Sequence, residues 1–227
     1  ALELYPEAER IFGELAALRR RTADMRRGRT GLLRIAASAP PAMALIPGAL
    51  ADFRASYPDV VVRSQIAPMR HIVDMLRDGD IALGIVMNDK PHHGIDVEKI
   101  GESHLACLVP GEHPLASRAS IGFADLAAYP LIAYRPEVLP GLLLSAIADA
   151  ENLEYAPAIE IDVSISALPF VQSGLGIAIV DSLLPWGLFS GVRIVPFVPK
   201  TALPVAILTR TSHPISGAAK LMREKVC

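Results

Sequence analysis

Most signatures of dedicated chemistry are missing from this sequence. It holds two cysteines, Cys107 and Cys227, in no CxxC or Cys/His spacing, which excludes a disulfide framework and a structural zinc site and suits a reducing cytoplasm. There is no GxSxG elbow, no SxxK and no P-loop. The nearest approach to a dinucleotide fingerprint, Gly174-Leu-Gly176, lacks its third glycine and leads into a strand, not a helix. His92-His93, beside Asp89, Asp96 and Glu98, is the one metal-like group, and its spacing fits no helical ligand pair. No apolar run is long enough to span a membrane. The N-terminus has neither the basic start nor the cleavage site of a signal peptide. These absences argue against an enzyme, a cofactor and a metal. The chain also lacks an initiator Met, so it is expected to be a piece of a longer protein.

What is present is an apolar, nearly neutral globular chain. Its 227 residues are 52% apolar and 20% charged, with a formal net charge of −2. That balance excludes disorder and argues against nucleic-acid binding by the chain as a whole. At the front, Leu4, Ala8, Ile11, Leu15, Leu18, Thr22 and Met25 recur at alternating spacings of four and three. This heptad seam, residues 1–29, is narrow and favours pairing with a second copy. It ends in a basic cluster, Arg19 to Arg21, Arg26, Arg27 and Arg29, read chiefly as a solvated face.

Beyond Gly31 the pattern alternates strand and helix. Strands are expected at 32–37, 60–65 and 81–87, with helices at 43–56 and 71–77 and a turn at Ser38-Ala39-Pro40-Pro41. A second unit follows, with strands at 105–110, 131–134, 159–163 and 177–180 and helices at 121–128, 142–152 and 167–173. Two further strands, 192–197 and 205–210, and a helix at 216–226 have no obvious place in that unit. They are expected to return to the first. The resulting plan is α/β, with lobe I at 30–100 plus 192–227, lobe II at 101–191, a hinge of two crossings and a ligand cleft between lobes.

In open α/β sheets, ligands gather at the carboxyl ends of strands. That rule selects Ser38 and Ala39, then the loop Ile66 to Arg70 with Pro68, Met69 and Arg70, then Met87. In the second unit it selects Tyr134, Arg135, Ser164, Ser166 and Asp181. Several of these open helices, whose unpaired N–H groups favour anions. Ser164 and Ser166 are placed to cap the helix at Ala167. Arg70, a cation at a helix start, is unfavourable to the dipole unless an acidic group lies near it.

In this order, Gly31-Leu-Leu-Arg-Ile-Ala36, Leu45-Ile-Pro47, Phe53 with Tyr57-Pro-Asp-Val60, and Leu76-Arg-Asp-Gly-Asp-Ile-Ala-Leu-Gly-Ile85 run through the first half. His113-Pro-Leu-Ala116, Asp125-Leu-Ala127, Pro130-Leu-Ile132 and Val171-Gln-Ser-Gly-Leu-Gly-Ile-Ala-Ile-Val-Asp181 run through the second. Together they resemble the LysR-type transcriptional regulators over essentially the whole chain. The resemblance implies an effector-binding domain of the type-2 periplasmic-binding-protein fold, two Rossmann-like lobes behind a linker helix. It implies a homodimer or homotetramer in the cytoplasm and a small-molecule effector. Promoter DNA would be bound by a winged helix–turn–helix domain absent from this chain, with RNA polymerase a further partner of the full-length protein.

The wording around Pro130 and Gly174 is most similar to the branch holding opine- and diaminopimelate-responsive members, which implies a carboxylate or amino-acid-like effector. Ser38, Ser164 and Ser166 match the family's polar effector-facing positions. Pro40-Pro41 and Pro68-Met69-Arg70 depart from it, since relatives carry polar residues there. That departure suits a larger or more apolar ligand whose acidic group is gripped by Arg70 or Arg135. The alternative is a solute-binding protein of a transport system, which shares the body fold but needs a secretion signal and no pairing helix.

Overall fold

The computed structural model describes residues 13–15, 31–211 and 216–226. Residues 13–15 are helical, and the rest of the heptad segment, with its expected pairing, lies outside the described residues. The chain divides into two compact units, one of residues 1–101 and 205–227, the other of residues 102–204.

The first unit is built on β1 (Leu32–Ala37), β2 (Val61–Ile66), β3 (Leu83–Val86) and β9 (Ala202–Arg210). β1 lies between β2 and β3 and is parallel to both, while β9 joins β3 in antiparallel register, Ile85 opposite Ile207. The strand–helix alternation of residues 32–87 gives the three parallel strands, and β9, which arrives after the second unit, runs the opposite way.

The segment after β1 is a helix where a turn was expected. α1 (Ala39–Ala44) starts at once, with Ser38 as its N-cap and both prolines in its first turn. There a missing N–H removes no helical bond and the fixed φ is already suitable. α2 (Ile46–Ser56) follows and stops at Tyr57, whose φ of −133° leaves helical geometry just before Pro58. α3 (Met69–Arg77) presents Ile72, Val73 and Leu76 on one face. They form the core with Ala36, Val86, Ile95 and Leu208. α3 ends where Gly79 takes a φ of +71°, a left-handed turn open to glycine at little cost. The last helix, α7 (Gly217–Val226), packs on α2, and its Lys225 lies 3.7 Å from Asp52.

In the second unit the strand order is β8-β4-β7-β5-β6. β4 (Ile95–Pro110) is antiparallel to β7 (Ile177–Asp181) and to β8 (Val192–Pro196). β5 (Leu131–Tyr134) is parallel to β7 and to β6 (Ile159–Ile161). All five residues of β7 are buried, which explains the apolar run of its first four. α4 (Phe123–Leu126), α5 (Leu139–Ala150) and α6 (Ala167–Gln172) complete the unit. Phe123 meets Phe197 edge-on at 5.2 Å.

Two expectations need correcting. β4 is sixteen residues long, although only its second half was expected as a strand. Residues 192–204 belong to the second unit, not the first, because β8 pairs residue by residue with Ala106 to Pro110 of β4.

Candidate effector site

In the first unit the selected residues assemble at the carboxyl ends of three adjacent strands. Ala37 is level with Ile66 in β2 and with Ile85 in β3. Ser38 and Ala39, the Pro68-Met69-Arg70 turn and Met87 therefore emerge side by side. The Ser38 N–H donates to the Ile85 carbonyl at 2.9 Å, and the Ala67 N–H to the Ala37 carbonyl at 3.1 Å. These two bonds fix the loops relative to each other.

Ser38 is the most informative group here. A serine at an N-cap ordinarily accepts from the N–H of the second or third helical residue. In α1 those residues are Pro40 and Pro41, which have no N–H. The Ser38 side chain accordingly makes no capping bond, and its Oγ is buried without a partner. A buried hydroxyl left unpaired is unfavourable by a few kcal/mol on transfer scales. Such a group is suited to a ligand that supplies the missing partner. Pro68 is the N-cap of α3 and cannot cap through its side chain, so Met69, Arg70 and His71 begin that helix without one. Arg70 is exposed and has no ion-pair partner among the described residues.

In the second unit the selected residues stand at the ends of β7, β5 and β6, which are also neighbours. Asp181, 1% exposed, is the hub. Its Oδ2 accepts from the Ser164 hydroxyl in a very short bond and from the Tyr134 hydroxyl at 3.4 Å. Its Oδ1 accepts from the N–H groups of Leu183 and Leu184 at 2.9 and 3.1 Å. All four acceptor positions are thus occupied. Burial raises the Asp181 carboxyl above its ordinary range, against the lowering effect of its donors, Ser164 first. Burial, then the charge of Asp181, holds the Tyr134 phenol well above its usual value. Asp181 and Tyr134 thus form a closed polar cluster that fixes Ser164.

The more exposed neighbours behave differently. Arg135 is paired with Asp162 at 2.5 Å. The Ser166 hydroxyl donates backwards to the Val163 carbonyl at 2.6 Å and does not cap α6. The capping expected there fails because residues 164–166 form a 3-10 turn that leads straight into the helix. Sequence reasoning also missed Tyr155, whose hydroxyl donates to the Tyr134 carbonyl at 2.5 Å. It sits in a segment without regular structure, where no periodic signal marks it. Among the described residues no group of three or more His, Cys, Asp or Glu could hold a metal ion. No helix among them is long and apolar enough to cross a membrane.

Two α/β units with polar groups at adjacent strand ends define a ligand-binding module of the type-2 periplasmic-binding-protein class. The family model "LysR substrate binding domain" matches residues 26–226, and the chain belongs to that family. It is 26% identical over 180 residues to "Regulatory protein NocR" of Agrobacterium tumefaciens (strain T37), covering 78% of this chain and 59% of that protein. The chain thus spans about three-fifths of that relative's length. Among solved structures, "Effector binding domain of QuiR in complex with shikimate" superposes with a TM-score of 0.73 at 18% identity, over 86% of this chain and 95% of that one. "Crystal structure of full-length CbnR complexed with the target DNA complex" superposes with a TM-score of 0.74 at 20% identity, over 99% of this chain and 78% of that one. Another relative, "HTH-type transcriptional regulator AlsR" of Bacillus subtilis (strain 168), is 28% identical over 174 residues, covering 75% of this chain and 56% of that protein.

Proposed function

We propose that this chain is the effector-sensing part of a LysR-type transcription regulator, and that its effector is a small carboxylate or amino-acid-like metabolite. The family match across residues 26–226 carries this reading. Two structural neighbours, one in complex with shikimate and one with target DNA, support it by likeness of fold. In the whole protein, effector binding shifts the geometry of a homo-oligomer, and promoter DNA is held by an N-terminal winged helix–turn–helix domain. RNA polymerase is the downstream partner and the cytoplasm the compartment.

Ser38, Ala39, Pro68, Met69, Arg70 and Met87 are the effector-facing positions of lobe I. Arg135, Ser164 and Ser166 are those of lobe II, with Tyr134 and Asp181 holding Ser164 in place. Arg70 is the cation that meets the effector's acidic group, because Arg135 is already engaged by Asp162. A panel of amino acids and related carboxylates tests this by thermal shift. A ligand at one hundred times its Kd stabilises the folded chain by about 2.7 kcal/mol. Arg70→Ala should weaken the responding carboxylate more than Arg135→Ala does. A panel without a response, or a responder indifferent to Arg70, Ser38 and Ser166, would overturn the assignment.

A further inference from the structure

The second unit holds a cavity of about 550 Å³ that includes none of the residues assigned above. We propose that it is a second small-molecule site, for a monocarboxylate with a short apolar body. The strand register makes it amphipathic. Ala106 lies opposite Pro196 in β8 and opposite Val180 in β7, and Leu108 lies opposite Ile194. Alternate residues of a strand share one face. His104 and Ala106 therefore stand on the same side of β4, and Ile194 and Pro196 form the matching row of β8.

Most of the lining is apolar, with Ala106, Pro196, Ile194 and Val198 among it. Ile194 and Val198 are 38% and 40% exposed, so their apolar surface is open to a ligand. The polar residues of its lining are His104, Ser182 and Lys200. The Ser182 hydroxyl accepts from the backbone N–H of His104 at 3.1 Å and pairs with the Ser103 hydroxyl at 3.2 Å, which fixes its position. The Leu105 N–H donates to the Thr201 carbonyl at 3.0 Å and ties the residue after Lys200 to this strand end.

Charge selects the ligand. No carboxylate lines the cavity, and Lys200 has no ion-pair partner among the described residues. An ammonium, an imidazole and a hydroxyl lining an otherwise apolar trough suit a carboxylate head with a hydrocarbon tail. The volume is that of a small-molecule site. A cationic ligand would meet Lys200, and a polar one would leave the Ile194 wall exposed to water.

Hexanoate, with hexylamine as its charge-reversed control, tests this by amide-resolved NMR titration of the 227-residue chain. Hexanoate should shift the signals of Ala106, Ile194 and Val198, and hexylamine should not. Lys200→Glu should weaken hexanoate at least tenfold. Ile194→Trp, at a half-exposed position that tolerates bulk, should block it while the melting temperature is retained. Ser38→Ala should leave hexanoate affinity unchanged, which separates this site from the effector site. Equal shifts from hexylamine, a loss below tenfold in Lys200→Glu, or shifts centred on Ser38 and Arg70 would overturn the proposal. If Ile194→Trp does not fold, Lys200→Glu decides alone.

Discussion

Two residues with opposite hydrogen-bond balances define the candidate site. Asp181 is saturated, with four donors on two oxygens. Asp181→Ala would leave two buried hydroxyls and two N–H groups unsatisfied, so it should cost about 3 kcal/mol or more in chemical denaturation. Asp181→Asn, which keeps one acceptor oxygen, should cost less. Ser38 is the reverse, a buried hydroxyl without a partner. Ser38→Ala should leave stability unchanged or raise it by up to about 1 kcal/mol while lowering effector affinity, read by denaturation and calorimetry on the same sample. A matched loss of stability and affinity would make Ser38 a structural residue. Strand-end logic selected both positions from sequence. The difference between them was not legible there, because it depends on which neighbours fill the lone pairs.

At the scale of elements, local signals worked where one residue sets the backbone. Leu131–Tyr134 is a strand with the expected bounds. Tyr57-Pro58 ends α2, and Asp78-Gly79 follows the end of α3. They failed where pairing decides. The first half of β4 mixes charged and apolar residues, Asp96, Glu98 and Lys99 among them, and has no run of the kind that marked its second half. The register that builds the second cavity was illegible for the same reason. Two element-level outcomes can be measured. Pro41→Ala restores an N–H where the Ser38 hydroxyl can accept it, so effector affinity should fall severalfold in calorimetry as the hydroxyl becomes a cap. Gly141, in α5, would place an added Cβ 1.9 Å from the Arg135 carbonyl oxygen. Gly141→Ala should therefore destabilise by about 2 kcal/mol or more, seen as a drop of several degrees in Tm.

For the whole molecule, the fold class and the two-lobed plan were legible in the order of elements and in the family resemblance. The unit to which β8 belongs was not, because a short strand carries no mark of its partner. Acid stability also belongs to this scale. Asp181 has a folded-state carboxyl raised above its ordinary value of 3.8 by burial. Its contribution to stability is fully present below that value and is lost as pH rises through the raised one. The stability of the native chain should fall over that window relative to Asp181→Asn, which cannot titrate. The native chain's lead in denaturant midpoint over Asp181→Asn should shrink as pH rises across the acid range. Parallel curves would assign the slope to other carboxyls.

The interruption of the first unit by the second has a consequence for synthesis. Residues 102–204 are one continuous stretch, whereas the first unit is completed by residues 205–227. On a ribosome, β3 must wait with one edge open until β9 emerges, more than a hundred residues later, to set Leu208 beside Gly84. The inserted unit has its strands in hand before then. Released chains truncated after Pro204 should protect the inserted unit from protease while the first unit is still cleaved, so Ser38 is among the last groups to reach its finished surroundings.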